Sequence, residues 1–230
     1  MTMATRTARA DRATATRELI LTTAERLFAE HGVFAVSNRQ VSEAAGQGNN
    51  AAVGYHFGTK TDLVRAIARK HAGQVEQMRE QTLAGVGDSP DLRDWIACLI
   101  RPITEHLDAL GNPTWYARFG AQVMADPVLR KIMSEEAQTS PTMQRIVDGL
   151  DRCLPELPSD VRLERMDMTR QLMVHMLAER ERALADGTPT PRASWHDAAT
   201  GLIDAIVGLW LAPVTQPPVT QPPVTQAKET

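Results

Sequence analysis

NRQVSEAAGQGNNAAVGYHFGTK, residues 38–60, decides how the rest of the chain is read. Val41, Ala44 and Ala45 share one face of a short helical pattern, Gly46 and Gly48 break it, and a second short pattern carries Val53 and Phe57. Two short helices joined by a glycine-containing turn form a helix-turn-helix. Its second helix must enter a DNA major groove, so the outer face has to be polar and slender. Asn49, Asn50, Ala51, Gly54 and Tyr55 meet that requirement, with Gln47 in the turn before them. Asn pairs two ways with adenine, which makes Asn49 and Asn50 candidate base readers. Ser37 and Thr59 are the expected N-caps of the helices that begin and follow the motif. Arg39 and Lys60 each place a cation in a first helical turn, against the helix dipole, and a DNA phosphate explains them better. His56 is assigned to backbone phosphate or to the helix end, because no Cys, Asp or Glu stands near it at ligand or triad spacing.

Working outward, Leu19 to Phe28, Gly32, Val41 to Gly46 and above all Tyr55-His56-Phe57-Gly58-Thr59-Lys60 resemble the DNA-binding domain of the TetR family of bacterial regulators. Residues 15–70 carry the resemblance. One departure is that the stretch between Ala45-Gly46 and Tyr55 is one residue longer than the common family pattern, which lengthens the turn through Gln47, Gly48 and Asn49. The resemblance implies a homodimer whose two recognition helices read a palindromic operator. It also implies a helix after the motif whose tilt sets the distance between them.

Composition agrees with an all-α protein. Hydrophobic residues make up 43% of the 230, aromatics only 4%, and alternating β-branched runs are scarce beside Ala, Leu, Met, Glu and Arg. The net charge of −3 is unevenly spread: residues 1–60 hold seven Lys or Arg against five Asp or Glu, and the excess of acid lies beyond them. A basic end on an acidic body suits contact with DNA through one domain. Cys98 and Cys153 lack metal-type spacing and are expected to be buried, reduced thiols. No run has the secretory pattern or the roughly 20 apolar residues of a membrane helix, so a cytoplasmic location without membrane contact is expected. No cofactor, metal ligand or catalytic residue is expected.

In chain order, residues 1–12 are expected to be a disordered basic arm and residues 13–59 the helix-turn-helix domain, whose first helix runs from about Thr14 to Glu30 with Gly32 as its stop. Residues 60–212 should form a helical ligand-binding and dimerisation domain, opening with a linking helix over 60–83. Helical patterns follow over 92–110, 114–125, 127–137 and 141–154, separated by Gly and Pro punctuation. They gather most of the few aromatics, and Trp95, Trp115, Tyr116, Phe119 and Met143, with Met173 beyond, are candidate walls of a pocket for an apolar or amphipathic effector. An ordinary helical core explains the same stripes. His106, Tyr116, Arg118 and Gln122 are the polar groups on those helices that a ligand site needs, and His106 joins the candidate contacts.

The last two helices, about 160–185 and 193–211, spread apolar positions over more than one stripe, as expected of helices covered on both sides. Paired across a two-fold axis they make a four-helix dimer bundle. From Pro213 the unit PVTQP repeats, and residues 213–230 read as a disordered, extended tail.

The expected function is a ligand-responsive, sequence-specific transcriptional regulator, a repressor in its default form, with double-stranded operator DNA and a small-molecule effector as partners. An activator, a helical ligand binder without operator binding, and an enzyme using His106 or His175 are the alternatives; no nucleophile, metal cluster or phosphate loop supports the last.

Overall fold

The computed structural model describes residues 3–49, 51–138, 140–154 and 156–215, and every regular element among them is an α-helix. Asn50 and the PVTQP tail from Gln216 onward lie outside the described residues. The helices are α1 (Met3–His31), α2 (Asn38–Ala44), α3 (Ala52–Phe57), α4 (Lys60–Val86), α5 (Leu92–Leu110), α6 (Tyr116–Ala125), α7 (Pro127–Gln138), α8 (Pro141–Cys153), α9 (Ser159–Ala185) and α10 (Trp195–Leu211).

Helix α1 begins at Met3, where the sequence reading has an unpatterned arm up to residue 12. The run MATRTARADRATATR contains no Gly or Pro and is rich in Ala and Arg, the strongest helix formers, so no local breaker separates it from the patterned part of α1. The other ends follow local chemistry. Ser37 closes a capping box with Gln40 at the start of α2, and Thr59 closes one with Asp62 at the start of α4. Asp91 caps α5 by accepting the Arg93 N–H at 2.8 Å.

Two apolar cores form. The first joins Ile20, Leu21, Ala24 and Phe28 of α1 with Val41, Val53, Leu63 and Ile67, and is completed by Phe119, Val123, Leu129 and Ile132 from α6 and α7. The core therefore crosses the boundary expected after residue 59. Three short helices alone bury too little apolar surface to stand, and α4, α6 and α7 supply the rest. Phe28 and Phe119 stack at 6.4 Å between ring centroids across this junction. The second core collects Leu83, Trp95, Ile96, Ile100, Leu107, Ile146, Leu150, Leu177, Trp195, Ile203, Ile206 and Trp210. Tyr116 packs against both.

Helix α6 has no side-chain cap of its own. Glu181 of α9 supplies one: its carboxylate accepts the N–H groups of Ala117 at 3.0 Å and Arg118 at 2.9 Å and pairs with the Arg118 guanidinium at 3.1 Å. Arg165 similarly donates to the carbonyls of Trp210 and Ala212, closing the end of α10. Cys98 is buried and Cys153 half-buried, both free thiols; burial pushes the Cys98 thiol up to about 11. No helix among the described residues is long and apolar enough to cross a membrane.

Candidate nucleic-acid interface

The motif is held rigid from inside. Ser42 of α2 is fully buried, and its hydroxyl accepts the Val53 N–H at 3.4 Å, pinning the first turn of α3 against α2. Between the two helices the backbone turns sharply at Gly46, with φ at +65°, the left-handed region that glycine enters without strain. The Gln47 N–H donates to Ser42 O at 3.0 Å, and the Gln47 amide donates to Ala45 O at 2.9 Å. Asn49 Oδ1 accepts the Ala51 N–H at 2.9 Å, and the Asn49 carbonyl accepts from Ala52. Gln47 and Asn49 thus spend side-chain groups on the turn itself. Asn49 still presents its amide N–H groups from an exposed position.

Helix α3 buries Ala52 and Val53 and turns Gly54 and Tyr55 outward. Tyr55 is 82% exposed, and its ring meets His56 edge-on at 5.0 Å. Ala51 and Gly54 beside it are exposed as well.

The candidate phosphate contacts divide. Arg39 is exposed, and its Nε donates to Glu43 at 2.7 Å, so an i,i+4 partner satisfies the cation that the helix dipole does not. The Glu43 carboxylate holds the Arg39 pKa above its ordinary value. Lys60 reaches back instead: its Nζ donates to Val33 O at 3.1 Å, tying α4 to the α1–α2 turn, and burial lowers its pKa. His56 lies in a cleft of about 560 Å³ with Arg17, Phe57, Arg65, Arg69 and Lys70. Arg17 stands 4.7 Å over the Phe57 ring. Glu18 and Asp62 line the same cleft, Arg17 and Lys70 pairing with Glu18 and Arg65 with Asp62, so these cations run along α1 and α4 in company with acids. The i,i+4 spacing of Arg65 and Arg69 is the sequence signal that marks them.

The seven candidate effector contacts do not share one wall. Trp95 is buried in the second core with its Nε1–H donating to Ser89 O at 2.9 Å, and Met143 and Met173 pack on that core. Trp115 and Phe119 belong to the first core. His106 and Tyr116 meet each other, ring centroids 5.5 Å apart, and with them come two residues the sequence reading leaves out, Glu25 and His71. Their signal is a charged or polar residue inside an otherwise apolar stripe: Glu25 follows Ala24 among the buried residues of α1, and His71 follows Ala68 in α4. Arg118 is committed to Glu181, and Gln122 is exposed beside Gly32.

Burial, then the neighbouring His71, lowers the His106 pKa to about 4, while Glu25 pulls it the other way. An unfolded His106 takes up a proton near its ordinary 6.5, before the folded one does. Stability therefore falls as pH drops from about 6.5 to about 4, by on the order of 3 kcal/mol from this group, and no further below. Denaturant midpoints at pH 7.5, 6 and 5 should show that decline flattened in His106→Gln; equal slopes in the two proteins contradict it.

Comparison with known proteins matches two family models. Residues 20–67 match the model described as bacterial regulatory proteins, tetR family, and residues 97–208 match the tetracyclin repressor-like C-terminal domain. The HTH-type transcriptional repressor AcnR of Corynebacterium glutamicum is 33% identical over 92 residues, covering 38% of this chain and 48% of that protein. AcnR of Corynebacterium diphtheriae is 31% identical over 128 residues, covering 50% of this chain and 63% of that one. The chain thus spans about half the length of the curated relatives it matches. Among solved structures, the TetR-like regulator LfrR of Mycobacterium smegmatis in complex with proflavine is 23% identical, with a TM-score of 0.47 over 88% of this chain and 99% of that chain. With a helix-turn-helix seated on α4 and both family models matched in order, the chain belongs to the TetR family of regulators.

Proposed function

We propose that this protein is a homodimeric, ligand-responsive transcriptional repressor that reads a palindromic operator through α3. The observation that carries the reading is the outward face of α3 and its N-cap, where Ala51, Gly54 and Tyr55 are exposed, with Arg39, His56 and the Arg17–Arg65–Arg69 cleft around them; these are the residues proposed to meet DNA. Small residues with one aromatic let the helix sit deep, and the surrounding cations meet phosphate. Asn50 is proposed as a base reader on its sequence position. The two AcnR relatives are named transcriptional repressors.

The dimer is assigned to α9 and α10. Leu163, Met168 and Met176 of α9 and Leu211 at the end of α10 are exposed, and a shallow cleft of about 610 Å³ between the helices is lined by Met168, Leu172, Ala205 and Leu209. An isologous contact there would bring two α3 helices to one face of DNA, roughly 34–36 Å apart for successive major grooves. A small apolar or amphipathic effector bound within α4–α8 would favour a dimer with the wrong spacing, which requires different affinity for the two shapes.

Arg39→Gln tests the interface without touching either core. It is expected to lower the slope of log affinity against log salt by about one, equally on operator and random DNA. An unchanged slope removes Arg39 from the phosphate contacts.

A further inference from the structure

A helix whose inner face holds Ile20, Leu21, Ala24 and Phe28 gains nothing from a carboxylate there unless something inside requires it. Glu25 of α1 is 4% exposed, and its Oε2 lies 3.0 Å from His71 Nε2 on α4. His71 Nδ1 in turn lies 2.8 Å from His106 Nε2 on α5. Tyr116, the first residue of α6, stacks flat on His71 at 4.0 Å and 19° and meets His106 edge-on. Four helices converge on these four side chains, and one of them is the first helix of the DNA-binding domain.

Hydrogen-bond counting fixes the outer end of the chain. A carboxylate only accepts, so His71 Nε2 carries a proton toward Glu25. The 2.8 Å contact between His71 Nδ1 and His106 Nε2 holds one further proton, donated by one ring and accepted by the other. The bonds link α5 through α4 to α1, with His71 between His106 and Glu25. A buried network of this kind is satisfied as a whole or fails as a whole, because one lost donor leaves the next group unpaired away from water.

We propose that Glu25, His71 and His106, roofed by Tyr116, form one hydrogen-bonded relay that positions α1 against α4, α5 and α6, so that a displacement of α5 or α6 by an effector reaches the DNA-binding domain through it. The purpose given to the relay rests on the regulator reading above, but the relay itself is a property of the isolated protein. Its tests need neither DNA nor effector, so the two can fail separately.

Nitrogen-15 histidine spectra of the full chain should show a proton on His71 Nε2 and a hydrogen-bond coupling between His71 Nδ1 and His106 Nε2. A His71 ring without a proton at Nε2, or no coupling between the two rings, overturns the relay. Hydrogen exchange then tests positioning. His106→Phe, which removes the ring nitrogen on α5, should speed exchange across residues 20–31 of α1 by about tenfold. His106→Gln, whose amide can still hydrogen-bond to His71 Nδ1, should restore most of that protection. Ile96→Val, a small cavity elsewhere in α5, should leave α1 as it was. Unchanged α1 exchange in His106→Phe, or the same loss in Ile96→Val, overturns the assignment.

Discussion

Gly149→Ala is expected to lower stability by about 3 kcal/mol or more, although glycine-to-alanine inside a helix ordinarily gains up to ~1 kcal/mol. Gly149 lies within α8 with its back against the indole of Trp95. A Cβ built there meets the Trp95 ring carbons at 2.2, 2.3 and 2.4 Å, far inside contact distance. The indole has no route of escape: it is fully buried, its Nε1–H is held by Ser89 O, and the Arg152 guanidinium stands 5.2 Å over it. Relief must therefore come from moving α8 away from α5, which opens the second core around Ile146 and Leu150. Urea unfolding followed by tryptophan fluorescence measures the loss. A midpoint equal to or above that of the parent shows that the ring yields and the account of this core is wrong.

Glu181→Ala is expected to cost about 3–5 kcal/mol, the range for removing one partner of a buried ion pair. Glu181 is 1% exposed, and burial raises its pKa against the bonds from Arg118 and Ala117 that hold the carboxylate charged. Its removal strands the Arg118 guanidinium, which keeps only the Thr114 carbonyl at 2.8 Å, and frees two N–H groups at the first turn of α6. The effect should spread beyond the site. Helix α6 carries Tyr116 to the histidine relay and Phe119 to the first core, so its first turn anchors both. Arg118→Met in the same background should recover part of the loss, because it removes the uncompensated charge. A loss under about 1 kcal/mol for Glu181→Ala contradicts a buried pair that caps α6.

Element types and most ends were legible because their causes are local. Helix α5 starts after an Asp and stops at Gly111, and its apolar positions repeat with helical period between them, so its expected span of 92–110 and its observed one coincide. The start of α1 was not legible, since no breaker separates the Ala/Arg run from the patterned part. What the helices do to one another was less visible. Phe119 and Trp115 carry the same aromatic signal as Trp95, yet they pack against the DNA-binding helices, a partition decided by contacts distant in sequence. Glu25, His71 and His106 are 46 and 35 positions apart along the chain, and no spacing rule joins them.

Within the motif, Tyr55 is exposed as the pattern leads one to expect, and two of the polar candidates also make local bonds within the protein. Asn49 uses its side-chain oxygen on the Ala51 N–H, the competition with backbone that makes Asn a turn former. Lys60 has a carbonyl within reach that only the folded α1–α2 turn supplies. Arg39 keeps its expected exposure, and its Glu43 partner, four residues on, was readable in advance.

The central claim is that two copies of α3, held at a fixed separation, read one inverted repeat. Its most direct test is binding of the purified protein to short duplexes tiling the DNA beside its own gene, at physiological salt with random-sequence competitor, with stoichiometry measured on any duplex retained. The account predicts competitor-resistant binding of two subunits, or a multiple of two, to a single inverted repeat, lost in Tyr55→Ala. Binding that random DNA removes completely from every duplex, with Tyr55→Ala indistinguishable from the parent, would contradict it.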